Sequence, residues 1–208
     1  MVQSIEGGGW GGRPFEDGES GTVSVCQGDV RNGSIEGIEL KCPVLVESRV
    51  LRTDSGGAGK YRGGLGIDMR VRNLVEGKWN FELVKRNQCP PWGLWGGEAG
   101  EYGMYLLREP AEREFSAARG VHRPVPVGSE VIVRTGGGGG WGDPLERDPN
   151  AVRADVREEF VSTQAASDRY GVVLREDLSI DHPATERARA ELRSTREQVR
   201  RDDPGEIA

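Results

Sequence analysis

Apolar and polar residues alternate in short runs up to about residue 135 and recur at helical spacing after residue 148. Ile35, Ile38 and Leu40 lead to Cys42-Pro43, then to Val44, Val46, Val50 and Leu51. This pattern predicts a short strand, a proline break and a longer strand through about Arg52. Ile67 to Arg72, Trp79 to Val84, Tyr102 to Leu107 and Glu130 to Thr135 alternate in the same way, and Gly21 to Val25 reads as one more short strand. Asp29 to Gly33 is a turn signal, because Asn-Gly favours positive φ. Residues 85–128 read mostly as connection, with the course of 113–123 left open. After that, Val152, Val156 and Phe160 fall on one helical face behind Asp148 as N-cap and Pro149 at the first position. Ser162 caps a second short helix that Gly171 ends, and Val172 to Leu174 is a brief apolar run. Pro183 to about Arg200 is a charged helix with Ala184, Ala188 and Leu192 on one stripe. Its Glu/Arg pairs predict a solvated face, and residues 202–208 are expected to fray.

The predicted class is α+β, with a loop-rich, mainly antiparallel β region followed by a helical C-terminal region. The corresponding units are 1–147 and 148–208.

Glycine changes this picture most, with 32 in 208 residues, roughly twice the usual share. Gly136 to Gly140 are consecutive and precede Trp141-Gly142-Asp143-Pro144. No regular element tolerates such a run, so it is either a linker or a loop fixed by its neighbours. The strand before it and the helix signal after it favour a fixed loop, where bare backbone can approach another chain or a ligand closely. Glu6 to Pro14 and Asp54 to Gly66 have the same texture. A domain seldom starts inside such a loop, so the fold is expected to begin upstream, in another chain or segment. Cys89-Pro-Pro-Trp-Gly-Leu-Trp-Gly-Gly97 cannot be helix or central strand, and its two tryptophans suggest a packed cover, within the chain or against a partner.

Net charge is −6 with scattered positive charges, which excludes the footprint of a nucleic-acid binder. No apolar run approaches the ~18 residues of a membrane span, and the first residues lack a secretory signal pattern. Three cysteines, Cys26, Cys42 and Cys89, form no CxxC, so reduced thiols in the cytoplasm are expected.

Candidate chemistry is sparse. Gly136 to Gly142 lacks the Lys-Ser/Thr of a P-loop, and Gly56-Gly-Ala-Gly-Lys60 precedes a strand rather than a helix. Close packing at turns therefore outweighs phosphate binding. His122 and His182 are the only imidazoles, and His182 reads as a surface residue, so a metal site would need carboxylates for most of its ligands. Cys42 reads as a small buried hydrophobe, and Cys89 is the cysteine least easily dismissed as a nucleophile. Lys60, Tyr61 and Arg62 form a cationic-aromatic tip suited either to an anion or to a solvated loop with Tyr61 packed. Asp54 and Asp143 are placed to bond loop amides.

Taken together, Asp54 to Gly66, Pro90 to Gly97, Gly136 to Asp148, Asp155 to Arg157 and Tyr170 to Leu174 resemble the C-terminal third of one family, over residues 7–175. That family is the hydantoinase B/oxoprolinase family, which includes N-methylhydantoinase B-type subunits and relatives in acetone and acetophenone carboxylases. Residues 176–208 resemble a variable tail. The resemblance implies a C-terminal fragment or split subunit of an ATP-dependent cyclic-amide hydrolase of the hydantoinase/5-oxoprolinase type. The alternative it implies is a non-catalytic structural subunit of a carboxylase-like complex. Either would be inactive alone.

The implied partners are the N-terminal part of a B-type subunit and an A-type, ATP-binding subunit, with a small cyclic amide as substrate and neither nucleic acid nor membrane. ATP, Mg²⁺ and a catalytic divalent metal are expected in those partners, with no cofactor or metal bound here. Catalytic residues are not assigned. The loops expected to meet substrate or an interface between subunits are Gly56, Gly57, Gly59, Lys60, Tyr61 and Arg62, and Gly137, Gly138, Gly139 and Trp141. Valine at position 138 is expected to disturb assembly before chemistry.

Overall fold

The computed structural model describes residues 6–23, 34–82 and 89–202, with side chains through residue 198. The end of the strand expected at 21–25, the turn at 29–33 and the end of the strand at 79–84 lie outside the described residues.

Strands β1 (Val44–Leu51), β2 (Ile67–Asn73), β4 (Met104–Arg108), β5 (Ser116–Ala118) and β7 (Glu130–Arg134) form one sheet in the order β1-β2-β7-β4-β5. Strands β3 (Gly77–Phe81) and β6 (Gly120–Val125) pair separately, and every pairing among these strands is antiparallel. The register sets Met69 opposite Val133, Val71 opposite Val131, and Leu107 opposite Val131. Side chains alternate across a strand, so these residues share one face. Phe81 and Val125 from the β3–β6 pair cover it, and Phe81 meets Tyr105 edge-on at 5.5 Å between ring centres. Leu107 is fully buried there, and cutting it to alanine would cost about 2–5 kcal/mol.

Two expectations are corrected. Ile35–Lys41 is a helix, α1, not a strand. Ser34 caps it by accepting from the Gly37 amide at 3.1 Å, and the i, i+3 spacing of Ile35 and Ile38 fits a helix as well as a strand. No side chain of α1 is buried; instead the Glu39 carboxylate accepts from the Val46 amide of β1 at 2.8 Å. Residues 116–125 are largely strand rather than connection. Most of β6 is exposed on both faces, so it carries no alternation to read.

The helical region follows its punctuation. Asp148 caps α2 (Pro149–Arg157), and Ser162 caps α3 (Thr163–Asp168) by accepting from the Ala165 amide at 3.0 Å. Helix α2 closes through Glu159, held at φ 60°, with Phe160 N–H on Asp155 O and Glu159 N–H on Val156 O. This is a Schellman closure carried by a residue with a Cβ. Gly171 turns the chain after α3 at φ 61°. Val152, Val161, Ala166, Tyr170 and Val172 form a second core, which Ala58 joins from the loop after β1.

The solvated reading of α4 (His182–Asp202) holds for only part of its surface. Thr185 is buried, Arg189 donates to Tyr170 O and Arg147 O, and Arg196 donates to Asp143 and Glu98. The packed face is therefore built partly from arginines, which a hydrophobic stripe does not reveal.

Between the two cores lie four extended glycine-rich segments, 7–12, 56–66, 91–101 and 136–142, with Gly136 to Gly140 running through the middle. Their bonds repeat every three residues. Gly9 and Gly12 donate to Gly136 O and Gly139 O at 2.9 and 2.8 Å. Gly138 and Trp141 donate to Gly64 O and Tyr61 O, both at 2.9 Å. Gly137 and Gly140 donate to Glu101 O and Glu98 O at 3.1 and 2.9 Å. A chain with three residues per turn has no internal hydrogen bonds, as in polyproline II, so its donors and acceptors must find neighbours. Here three neighbours surround the middle segment and pair most of its donors and acceptors.

The five central glycines are absent from the positive-φ residues, so torsional freedom is not why they are glycine. A Cβ at 137, 138, 139 or 140 would sit far inside contact with Ser55 O, Trp10 O, Trp92 O or Ala58 O respectively. The backbones lie too close for any side chain.

Candidate functional site

One end of the glycine bundle carries a cluster of charges. Arg147 follows the short 3₁₀ turn Pro144–Glu146, which Asp143 caps by accepting from the Leu145 amide. Its guanidinium is forked onto both oxygens of Asp17 at 2.6 and 2.7 Å. The same group donates to Asp155 Oδ2 of α2 from Nε and Nη2, at 3.1 and 2.8 Å. Arg62 reaches Asp155 Oδ1 at 3.4 Å and stacks on the Phe160 ring, 5.3 Å from its centre. Arg62, Arg147 and Asp155 are all under 10 % exposed.

Burial pushes the Asp17 carboxyl up, but the Arg147 hydrogen bonds and charge outweigh it and leave Asp17 below its ordinary value. Burial lowers Arg147 as well, and its two carboxylate partners more than reverse that, so it stays charged. Each oxygen of the two carboxylates accepts from an arginine. The cluster ties the loop at residue 17, the glycine segment at 62 and α2 into one body.

In front of the cluster is an open cleft of about 380 Å³, rimmed by Glu16, Asp17, Lys60, Tyr61, Glu146 and Asp148, with Arg147 at its floor. Lys60 lies 3.4 Å from Glu146. Tyr61 packs against Trp141 with ring centres 5.9 Å apart. The three residues of the expected cationic-aromatic tip thus part company: Lys60 and Tyr61 line the cleft, while Arg62 is drawn behind its floor. Gly56, Gly57, Gly59, Gly137, Gly138 and Gly139 are buried inside the chain, and Trp141 is half-buried beside Tyr61. The expectation that valine at 138 disturbs assembly first is corrected by the same geometry: its Cβ would strike Trp10 O of the same chain, so the damage falls on folding.

Many of the amides in these loops are already used. The N–H groups of Gly57, Gly63, Gly64, Gly137, Gly138 and Gly140 each donate to a backbone carbonyl. Among the described residues, no group of three or more His, Cys, Asp and Glu is placed to hold a metal ion. His122 and His182 are both exposed, and neither lines the cleft; Cys42 is half-buried, Cys89 is exposed, and Cys26 lies outside the described residues. Asp54 and Asp143 both accept backbone amides, from Ser162 and Leu145.

The hydantoinase B/oxoprolinase family matches residues 1–144, which takes in all four glycine segments. The chain belongs to that family. As a hydantoinase B-family chain it is 32% identical over 191 residues to a protein named as the B component of a D-/L-hydantoinase from Pseudomonas sp. (strain NS671), covering 91% of this chain and 32% of the relative. It is 34% identical over 169 residues to the beta component of the caprolactamase of Pseudomonas jessenii, covering 79% of this chain and 29% of the relative. The crystal structure of the ATP-dependent caprolactamase from Pseudomonas jessenii superposes with a TM-score of 0.72 at 31% identity, over 88% of this chain and 32% of that one. The hydantoinase B-family chain thus spans about a third of the length of these relatives. No helix among the described residues is long and apolar enough to cross a membrane.

The residues that sequence reasoning missed are Asp17, Arg147 and Asp155. They are ordinary charged residues; Arg147 and Asp155 stand eight apart, but Asp17 is 130 residues from Arg147 and only the fold brings it to them. Arg147 carries one faint signal, standing just before the Asp148-Pro149 helix start.

Proposed function

We propose that this chain supplies the glycine-bundle portion of a B-type subunit in an ATP-dependent enzyme that hydrolyses cyclic amides, acting in the cytoplasm. The observation that supports it best is the bundle itself. It falls wholly within the family match, and many of its amides are bound to its own carbonyls, as its central ionic groups are to one another. Such a body is suited to hold other parts in place, not to turn over substrate. In this reading the catalytic metal lies in the remainder of the B-type subunit, and ATP with Mg²⁺ lies in an A-type subunit. The chain contributes walls and contacts, of which the Lys60–Tyr61 cleft is the accessible part.

The test is co-expression with those two partners and assay of ATP-dependent opening of hydantoin, 5-oxoproline and caprolactam. Turnover is expected only when all three polypeptides are present. Turnover by this chain alone, or equal turnover by the partners without it, overturns the reading.

A further inference from the structure

The loop over residues 90–97 presents a surface that the cleft does not use. Trp92 and Trp95 are 75% and 81% exposed, and Leu94 between them is 50% exposed. The backbone beneath them is fixed. Leu94 N–H donates to Gly140 O and Gly142 N–H to Leu94 O, both at 2.9 Å, and Gly100 N–H donates to Pro91 O at 2.9 Å. Trp95 is held at φ 56°, a left-handed conformation that costs a residue with a Cβ about 1 kcal/mol or more. The result is two large indoles held outward on a rigid base, at some local strain.

Scattered exposed apolar residues are ordinary, but two indoles so placed, with Leu94 between, approach the ~300–600 Å² of the largest apolar patch on a typical monomer. Association is normally opposed by the cost of ordering loops, and this loop is already ordered. Tryptophan is also among the residues most often found as energetic anchors at interface centres. Beside the patch, Glu98 and Asp143 are paired with Arg169 and Arg196, so little unpaired charge opposes an apolar partner.

We infer that Trp92, Leu94 and Trp95 form the seam onto which the remainder of a B-type subunit docks. This rests on the functional reading above. Two observations select that occupant. The relatives keep this fold inside chains about three times as long, so a large body of the same polypeptide stands next to it there. A second copy of this chain would bring a further net charge of −6, and like charges oppose self-association. The docking surface on the partner should be an apolar pocket that admits an indole.

The test uses the whole chain, as is and as Trp92→Ala and Trp95→Gly. Its probe is the polypeptide of the same organism that carries the remaining B-type segments, titrated by calorimetry, with thermal melts and light scattering alongside. Both side chains are largely exposed, so the melting temperature should hold in Trp92→Ala and hold or rise in Trp95→Gly, which relieves the left-handed strain. Each variant should bind the probe at least tenfold more weakly. Equal binding by variants and parent overturns the inference and leaves the functional reading standing. No binding by the parent chain sinks both. A dimer of this chain that Trp95→Gly dissolves would assign the patch to a second copy and overturn the inference.

Discussion

At the scale of single residues, two kinds of glycine serve two purposes. Gly171 and Gly142 sit at positive φ, whereas Gly138 has an ordinary torsion and no room. Gly138→Ala should therefore cost more than about 3 kcal/mol and abolish the folded state, read by circular dichroism and thermal melting. Gly77→Ala, where a Cβ would meet nothing within 4 Å, should melt within about 0.5 kcal/mol of the parent. A charge effect belongs at this scale too. The Asp17 carboxyl is held below its usual value of 3.8 by Arg147, so its folded-state pKa lies under its unfolded one. A depressed carboxyl stabilises the fold above the unfolded pKa and loses that contribution as pH falls through the folded pKa. Melting temperature measured from pH 5 downwards should fall more steeply for the parent than for Asp17→Asn, with the difference arising below about pH 4.

At the scale of elements, caps and turns are legible in the sequence and side-chain-poor packing is not. Asp148-Pro149, Ser162 and Gly171 announce their helices because their chemistry acts on neighbours in sequence. Strands β2 and β7 are readable because one or both faces are apolar and buried. The α1 segment misleads because Ile35, Ile38 and Leu40 suit either period over so few residues. The inward face of α4 escapes notice because it is made by Arg189 and Arg196. Helix α2 supplies a direct test. Glu159→Gly at its left-handed closure should raise stability by about 0.5–1 kcal/mol in denaturant unfolding, since glycine meets no steric penalty there. Arg147→Met should do the reverse. It strands Asp155 and Asp17 without their shared partner and should cost about 3–5 kcal/mol, measured the same way. A second change, Asp155→Leu, should recover part of that loss by removing the buried charge.

At the scale of the whole molecule, the bundle joins a sheet core to a helical core, and Ala58 belongs to both the glycine segment and the helical core. The two halves distinguished by sequence texture at residue 147 are thus fastened through backbone and through the Arg147 cluster. Leu107→Ala in the sheet and Val152→Ala in the helices should each lower one common melting transition, followed by calorimetry. Two separate transitions would show that the bundle does not couple them. The family is legible in the sequence because runs of closely packed glycine are unusual in composition and mark themselves. The ion cluster is not, because charged side chains declare nothing until the backbone has brought them together.

The middle segment of the bundle has a consequence for how the polypeptide is made. Gly9 and Gly12 find acceptors in Gly136 and Gly139, and all seven described strands are encoded between them. At ribosomal speeds residues 7–12 would wait on the order of ten seconds for those counterparts to emerge. Until then they have little side chain with which to collapse. This segment is therefore among the last able to settle, and a nascent polypeptide arrested before residue 136 would leave it open to a protease.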